Sequence, residues 1–205
     1  MSNIKKKEDS KKISILLLGD SNVGKTSIFK KFFKNEFKGN YTSTIGVEFL
    51  TKEFQYKNKN YSIQFFDTAG QERFRSLTES YYHLGEGFFI VFDLTNKNSL
   101  MALPSWIESL KEHIEKPIYI ILGNKSDLEK NLIPDQEINE VLNDKDNLKI
   151  NDENFLKVSA KTGENINKTF EYILNIIEQT SDKDEQIIKQ PIKKVKINKK
   201  KMKCC

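Results

Sequence analysis

Cysteine is missing from nearly all of this 205-residue chain; the only two are the final pair, Cys204 and Cys205. No disulfide framework can therefore staple the fold. A chain of this length can bury a full core without one. Long apolar runs are missing too: nothing in the sequence approaches the ~20 residues of a membrane-spanning helix. The first apolar segment begins only at Ile13, after a polar and charged Met1–Lys12, which is not the pattern of a secretory signal. No internal repeat is visible. These absences predict one ordinary domain that works in the cytosol or on a surface facing it.

Acidic residues are absent from Lys189 to Lys203, where eight lysines stand. Setting these aside leaves 26 of the 34 basic residues against 29 acidic ones, so the body is slightly acidic and the net charge of +5 comes from the tail. Aromatic residues are absent from the same stretch, which weakens a nucleic-acid reading, because single strands are held by base stacking. A lysine run ending in Cys204-Cys205 fits better as a basic patch beside a lipidation site, the two-signal arrangement of a stable membrane anchor. It is not a C-a-a-X box, since Met202 stands where that box needs cysteine.

What is present is an alternation of strand-like and helix-like stretches. Apolar segments at Ile13–Leu18 and Gly87–Leu94 read as strands buried on both faces, Ile118–Leu122 as a strand and Phe155–Val158 as a short one. Val47–Tyr56 and Tyr61–Phe66 read as a hairpin around Lys57-Asn58-Lys59-Asn60. Helical stretches follow at Ser27–Lys34, around Trp106, Ile107 and Leu110 with Pro104 in the first turn, at Asp135–Leu142, and from Ile166 through Phe170, Ile173, Leu174 and Ile177. The expected fold is α/β: a mostly parallel sheet with one antiparallel edge strand and helices on both faces. The expected organisation is a flexible N-terminus over 1–11, a nucleotide-binding domain over 12–180 and a disordered basic tail over 181–205.

Gly19-Asp-Ser-Asn-Val-Gly-Lys-Thr26 sits between the first strand and the first helix, the context a phosphate-binding loop requires. The backbone N–H groups of Ser21, Asn22, Val23, Gly24, Lys25, Thr26 and Ser27 can face a polyphosphate, aided by the positive end of the helix. Lys25 would reach the β- and γ-phosphates, and the Thr26 hydroxyl would ligate Mg²⁺. At the end of the third strand, Asp67 stands where a Mg²⁺-side carboxylate belongs, directly or through a water. Gly70 can bring its N–H against a terminal phosphate, and Gln71 can orient an attacking water.

Three further segments complete a pattern: Thr44-Ile-Gly-Val-Glu-Phe49, Asn124-Lys-Ser-Asp127 and Ser159-Ala-Lys161. With the phosphate loop and Asp67-Thr-Ala-Gly-Gln-Glu-Arg-Phe74, they make the chain resemble a Rab-family small GTPase of the Ras superfamily over about residues 12–180. Asp127 has the chemistry to choose the base: a carboxylate pairs with the adjacent N1–H and N2–H₂ of guanine and would be left unpaired by adenine. Asn124 and Lys125 would brace that loop and cover the ring. The resemblance implies that the Ala160 N–H meets the guanine O6, with Ser159 and Lys161 beside it, that Phe37 packs on the base, and that Tyr41 covers the phosphates. It implies that Thr44 offers its hydroxyl to Mg²⁺ and its N–H to the γ-phosphate, so that the loops around Thr44 and Gly70 order with GTP and loosen with GDP. Arg73 reads as part of that switch surface rather than as an arginine finger, which in this family usually comes from a partner.

The implied activity is slow hydrolysis of GTP to GDP by a switch in vesicle trafficking. It would sit on the cytoplasmic face of an endomembrane, anchored through lipid on Cys204 and Cys205, with a cytosolic inhibitor-bound pool. The implied partners are an exchange factor, a GTPase-activating protein, a GDP dissociation inhibitor, a prenylation escort protein and effectors, but no nucleic acid. Departures are few. Phe66 replaces the usual tryptophan of an exposed aromatic triad with Phe49 and Tyr81, and Tyr81–Gly87 replaces Tyr-Tyr-Arg-Gly-Ala, with His83 on the surface. Both bear on effector identity, not on chemistry. Asn143–Glu153 is slightly long, and Ser21 is common at its position. A Ran-type soluble transport GTPase is opposed by the terminal cysteines and by Ile45–Phe49. A non-hydrolysing nucleotide-binding scaffold is opposed by the intact Lys25, Thr26, Thr44, Asp67 and Gln71, and a P-loop ATPase or kinase by Asp127.

Overall fold

The computed structural model describes residues 10–35, 47–71, 74–130, 132–143 and 154–188, with only the backbone described over 182–188. Among these residues the strands form one six-stranded sheet in the order β2-β3-β1-β4-β5-β6. The strands are β1 (Lys11–Leu18), β2 (Val47–Tyr56), β3 (Lys59–Thr68), β4 (Gly87–Asp93), β5 (Tyr119–Asn124) and β6 (Phe155–Lys157). Only β2 runs antiparallel, paired along its whole length with β3. The expected α/β sheet with one antiparallel edge strand is what the chain forms.

Alternation along each strand explains the apolar runs. In β1, Ile13, Ile15 and Leu17 point to one core while Leu16 and Leu18 point to the other. In β4, Phe89 and Val91 join the first core, and Phe88, Ile90 and Phe92 the second. The first core is closed by α1 (Lys25–Lys34) and α6 (Ile166–Ile188), whose Phe32 and Phe170 stack with ring centroids 3.5 Å apart. The second is closed by α3 (Lys97–Met101), α4 (Leu103–His113) and α5 (Asp135–Leu142). A short α2 (Arg75–Glu79) lies against α4.

Strand ends shift by a residue or two from the sequence reading, and three other boundaries differ for reasons visible in the backbone. The hairpin turn is only Lys57-Asn58, with φ of 47° and 60°, and β3 resumes at Lys59. Two consecutive left-handed residues match the twist of paired strands. Helix α1 starts at Lys25 rather than Ser27, because Gly24 takes φ 98° and turns the loop directly into the first helical residue. Helix α6 continues to Ile188, so the domain end expected at Thr180 falls inside a helix. Extending an existing helix needs no new nucleus. No helix among the described residues is long and apolar enough to cross a membrane.

Candidate functional site

From β1 the chain goes to β2 and β3 on one side and from β3 crosses back past β1 to β4 on the other, which opens a crevice at the carboxyl ends of the strands. The phosphate loop fills the end of β1, and Asp67 arrives beside it because β3 pairs in parallel with β1, Asp67 opposite Leu17. The next residue locks that register: the buried Thr68 hydroxyl donates to the Leu17 carbonyl at 2.5 Å.

Lys25 is buried at the start of α1 and donates from Nζ to the Gly19 and Asp20 carbonyls at 2.7 and 2.8 Å. Burial pulls its pKa down to about 8, although Asp67 and Asp20 oppose the shift. Asp67 is fully buried, and among the described residues no donor meets either carboxylate oxygen in good hydrogen-bond geometry. Burial pushes its pKa up to about 6, while the nearby Thr26 hydroxyl and Lys25 draw it down. An unpaired buried carboxylate is costly in a protein interior, and hard oxygen donors of this kind suit Mg²⁺. Gly70 closes the other side: a Cβ there would stand 2.1 Å from Lys25 Nζ and 2.4 Å from the Asp20 carbonyl. Gln71 is half-buried, and its carbonyl accepts the Phe74 N–H at 2.9 Å at the entry to α2.

A second group gathers at the ends of β5 and β6. Buried Asn124 donates from Nδ2 to the Val23 carbonyl at 2.9 Å, and its Oδ1 accepts the Ala160 N–H at 3.1 Å. One side chain thus clips the phosphate loop to the segment after β6. The Ala160 N–H, expected to meet guanine O6, is engaged by Asn124 in this structure. Asp127 accepts from Ser159 Oγ at 2.6 Å and pairs with Lys161 Nζ at 3.6 Å, which orients its carboxylate. Lys125 reaches the Asn22 carbonyl at 3.2 Å and Asp93 Oδ2 at 2.6 Å. The expected Phe37, Tyr41, Thr44, Cys204 and Cys205, with Arg73, lie outside the described residues.

The chain has counterparts among known proteins. A family model described as "Ras family" matches residues 14–179. Ras-related protein Rab2BV of Beta vulgaris is 40% identical over 164 residues, covering 80% of this chain and 74% of that one. Ras-related protein Rab11C of Lotus japonicus is 39% identical with the same coverage. Ras-related protein Rab-11C of Dictyostelium discoideum is 40% identical over 165 residues, covering 80% and 71%. This chain belongs to the Ras family, within its Rab group. It is a GTPase, a family that binds guanine nucleotide, and the crevice is the candidate site.

Sequence reasoning missed three residues of this Rab GTPase's site. Asp93 ends β4 and holds Lys125. Asp20 accepts the Trp106 indole N–H on Oδ1 at 2.8 Å, and the Arg75 guanidinium lies 4.7 Å from the centre of the same ring. Trp106 therefore joins the phosphate loop to α2. The signal for Asp93 was available, since an acid closing the otherwise apolar Phe88–Phe92 run sits at a strand's carboxyl end like Asp67. Nothing local marked Trp106, which reads as an ordinary core position of α4. The exposed aromatic triad also needs correction. Phe49 is 56% exposed but Phe66 only 5%, because Phe66 faces the second core, with Tyr81 packed against that core. A cavity of about 360 Å³ opens beside them, lined also by Val47, Leu84, Ser14 and Gln64.

Proposed function

We propose that this Rab GTPase is a membrane-anchored switch in vesicle trafficking. It binds GTP with Mg²⁺, recruits effectors in that state, and hydrolyses GTP slowly until an activating protein accelerates the step. The observation that carries this reading is the pair formed by Lys25 and Asp67, one buried cation and one buried carboxylate that no donor among the described residues meets in good geometry, at the mouth of the phosphate loop. Asp67, Thr26 and Thr44 are the oxygen donors that would hold Mg²⁺, which supplies charge neutralisation for the phosphates. Lys25 binds the β- and γ-phosphates. Gly70 offers an N–H to the terminal phosphate, in a space where any side chain would collide with Lys25. Gln71 orients the water, and Asp127, held by Ser159, selects guanine.

Losing the terminal phosphate frees the Thr44 and Gly70 loops and closes the effector-binding state. Effectors and activating protein meet that switch surface, and an exchange factor reloads GTP. The lysine run and Cys204-Cys205 supply charge and lipid to an endomembrane, with escort and dissociation-inhibitor proteins carrying the lipid in the cytosol.

The test is imaging of N-terminally tagged wild type, Gln71→Leu, and a form lacking Cys204 and Cys205. Discrete organelle labelling is expected for the wild type, stronger for Gln71→Leu, and diffuse signal for the truncation. Diffuse signal in all of them overturns the anchored switch, and unchanged single-turnover hydrolysis by Gln71→Leu removes that residue from the chemistry.

A further inference from the structure

Among the described residues, six other than glycine have positive φ: Asn22, Asn35, Lys57, Asn58, Lys125 and Asn165. Four are asparagines, which tolerate the left-handed region, and Lys57 lies in the hairpin turn. Lys125, at φ 70°, is the one with neither excuse. A long side chain in that conformation persists only where its surroundings over-determine it. Its own backbone is tied once on, the carbonyl accepting the Leu128 N–H at 3.1 Å. Its ammonium has two partners, Asp93 Oδ2 and the carbonyl of Asn22. Asn22 is itself left-handed, at φ 64°. One ammonium thus joins two left-handed residues, one in the Asn124–Asp127 loop and one in the phosphate loop.

The other end of the pair is rigid. Asp93 is 5% exposed and paired opposite Asn124 at the end of β4. Its Oδ1 accepts from the Thr95 N–H at 2.9 Å and from the Thr95 hydroxyl at 2.8 Å, which leaves Oδ2 facing Lys125. Its N–H donates to Ser99 Oγ at 3.0 Å. A lysine left to water would sample many rotamers; a fixed, buried carboxylate selects one.

We propose that Asp93 is a positioning residue for the nucleotide: it holds the Lys125 ammonium on the Asn22 carbonyl, locks the base-reading loop to the phosphate loop, and thereby sets how long guanine nucleotide stays bound. Asp93 touches neither base nor phosphate in this account. Base choice is separate, because Asp127 is oriented by Ser159 and Lys161 and not by Asp93. The proposal rests on the guanine-nucleotide site of the family and adds to it a residue outside the sequence motifs.

Asp93→Asn is the variant of choice. Its Oδ1 can still accept from Thr95, while its NH₂ would face the Lys125 ammonium, donor against donor. The assay is release of a fluorescent GDP analogue from the full chain into excess GTP, for wild type, Asp93→Asn, Lys125→Gln and the double variant. Asp93→Asn should release nucleotide about tenfold faster, as expected when one partner of a hydrogen-bonded charge pair is lost. It should add less than about twofold when Lys125 is already glutamine, since the two act through one contact. Preference for GDP over the inosine and xanthosine diphosphates should not move. A wild-type release rate, or equal acceleration with and without Lys125, overturns the proposal, as does altered base preference. Should Asp93→Asn not yield nucleotide-bound protein, Thr95→Val keeps the charge and loosens the carboxylate. Faster release with Lys125 present and none with Lys125→Gln supports the proposal, and any other pattern overturns it.

Discussion

Replacing Trp106 by phenylalanine should destabilise the domain by about 3 kcal/mol, summed from three contacts. The largest is the indole N–H to Asp20 Oδ1 at 2.8 Å. Hydrogen bonds to charged groups contribute about 1.5–3 kcal/mol. This one is part-buried, so water recovers some of the loss and about 1.5 kcal/mol is the working value. Trp106 is 4% exposed, and the lost ring leaves a void beneath α4 worth about 1 kcal/mol after relaxation. The Arg75 guanidinium then stacks on a smaller ring, at a cost of a few tenths of a kcal/mol. The assay is urea unfolding followed by far-UV circular dichroism at fixed, saturating GDP, because bound nucleotide adds its own stability. Asp20→Ala and the double variant complete a cycle, with an expected coupling of about 1.5 kcal/mol. A loss under about 1 kcal/mol in Trp106→Phe would refute the ledger. Strict additivity with Asp20→Ala would refute the hydrogen bond as its main part.

Asp67→Asn should separate stability from function. The folded pKa of Asp67, about 6, lies above its unfolded value, so the folded state holds the proton more tightly and stability of the nucleotide-free domain falls as pH rises from the ordinary carboxylate range through 6. At pH 7.5 the amide should therefore stabilise that form by about 1–3 kcal/mol, with the gain gone at pH 4; a calorimetric comparison at the two pH values checks it. The same variant should lose the slowing of GDP release by Mg²⁺. Glu178 behaves oppositely: hydrogen bonds from Lys59 and from the Tyr61 hydroxyl hold its carboxyl below the usual range. Its contribution is present above the unfolded pKa and lost as pH falls through the folded one. Glu178→Gln should cost at most about 1 kcal/mol at pH 7, since Lys59 is exposed, and nothing measurable at pH 3. An equal cost at both pH values would show that packing, not charge, ties the β2–β3 hairpin to α6.

Much of this protein was legible in one dimension because the relevant physics is local. A phosphate loop is eight consecutive residues, and its glycines and lysine announce themselves by spacing. The segment Asn124–Asp127, proposed to read the base, and the turn at Asp67–Gln71 are equally contiguous. Strands buried on both faces declare themselves as apolar runs, and their order with helices between them implies a parallel sheet. The cysteine pair and the lysine run are compositional and lie outside the described residues, so the anchor they suggest is a proposal. Boundaries were less legible, as α1, α6 and the hairpin turn illustrate, because they depend on single residues adopting left-handed φ or on a helix simply continuing.

What only the tertiary structure decided are contacts between residues distant in sequence. Trp106 meets Asp20 across 86 positions, Asn124 meets Val23 across 101, and Lys125 meets Asp93 across 32. Each depends on which strands neighbour β1 and in what register, which no local spacing encodes. Burial is decided the same way. Phe66 reads as a surface aromatic until the second core closes over it, and the shifted pKa values of Asp67 and Lys25 arise only when packing removes their water. Side-chain identity comes from the sequence alone; pKa, strain and partnership come from the neighbours that folding brings together.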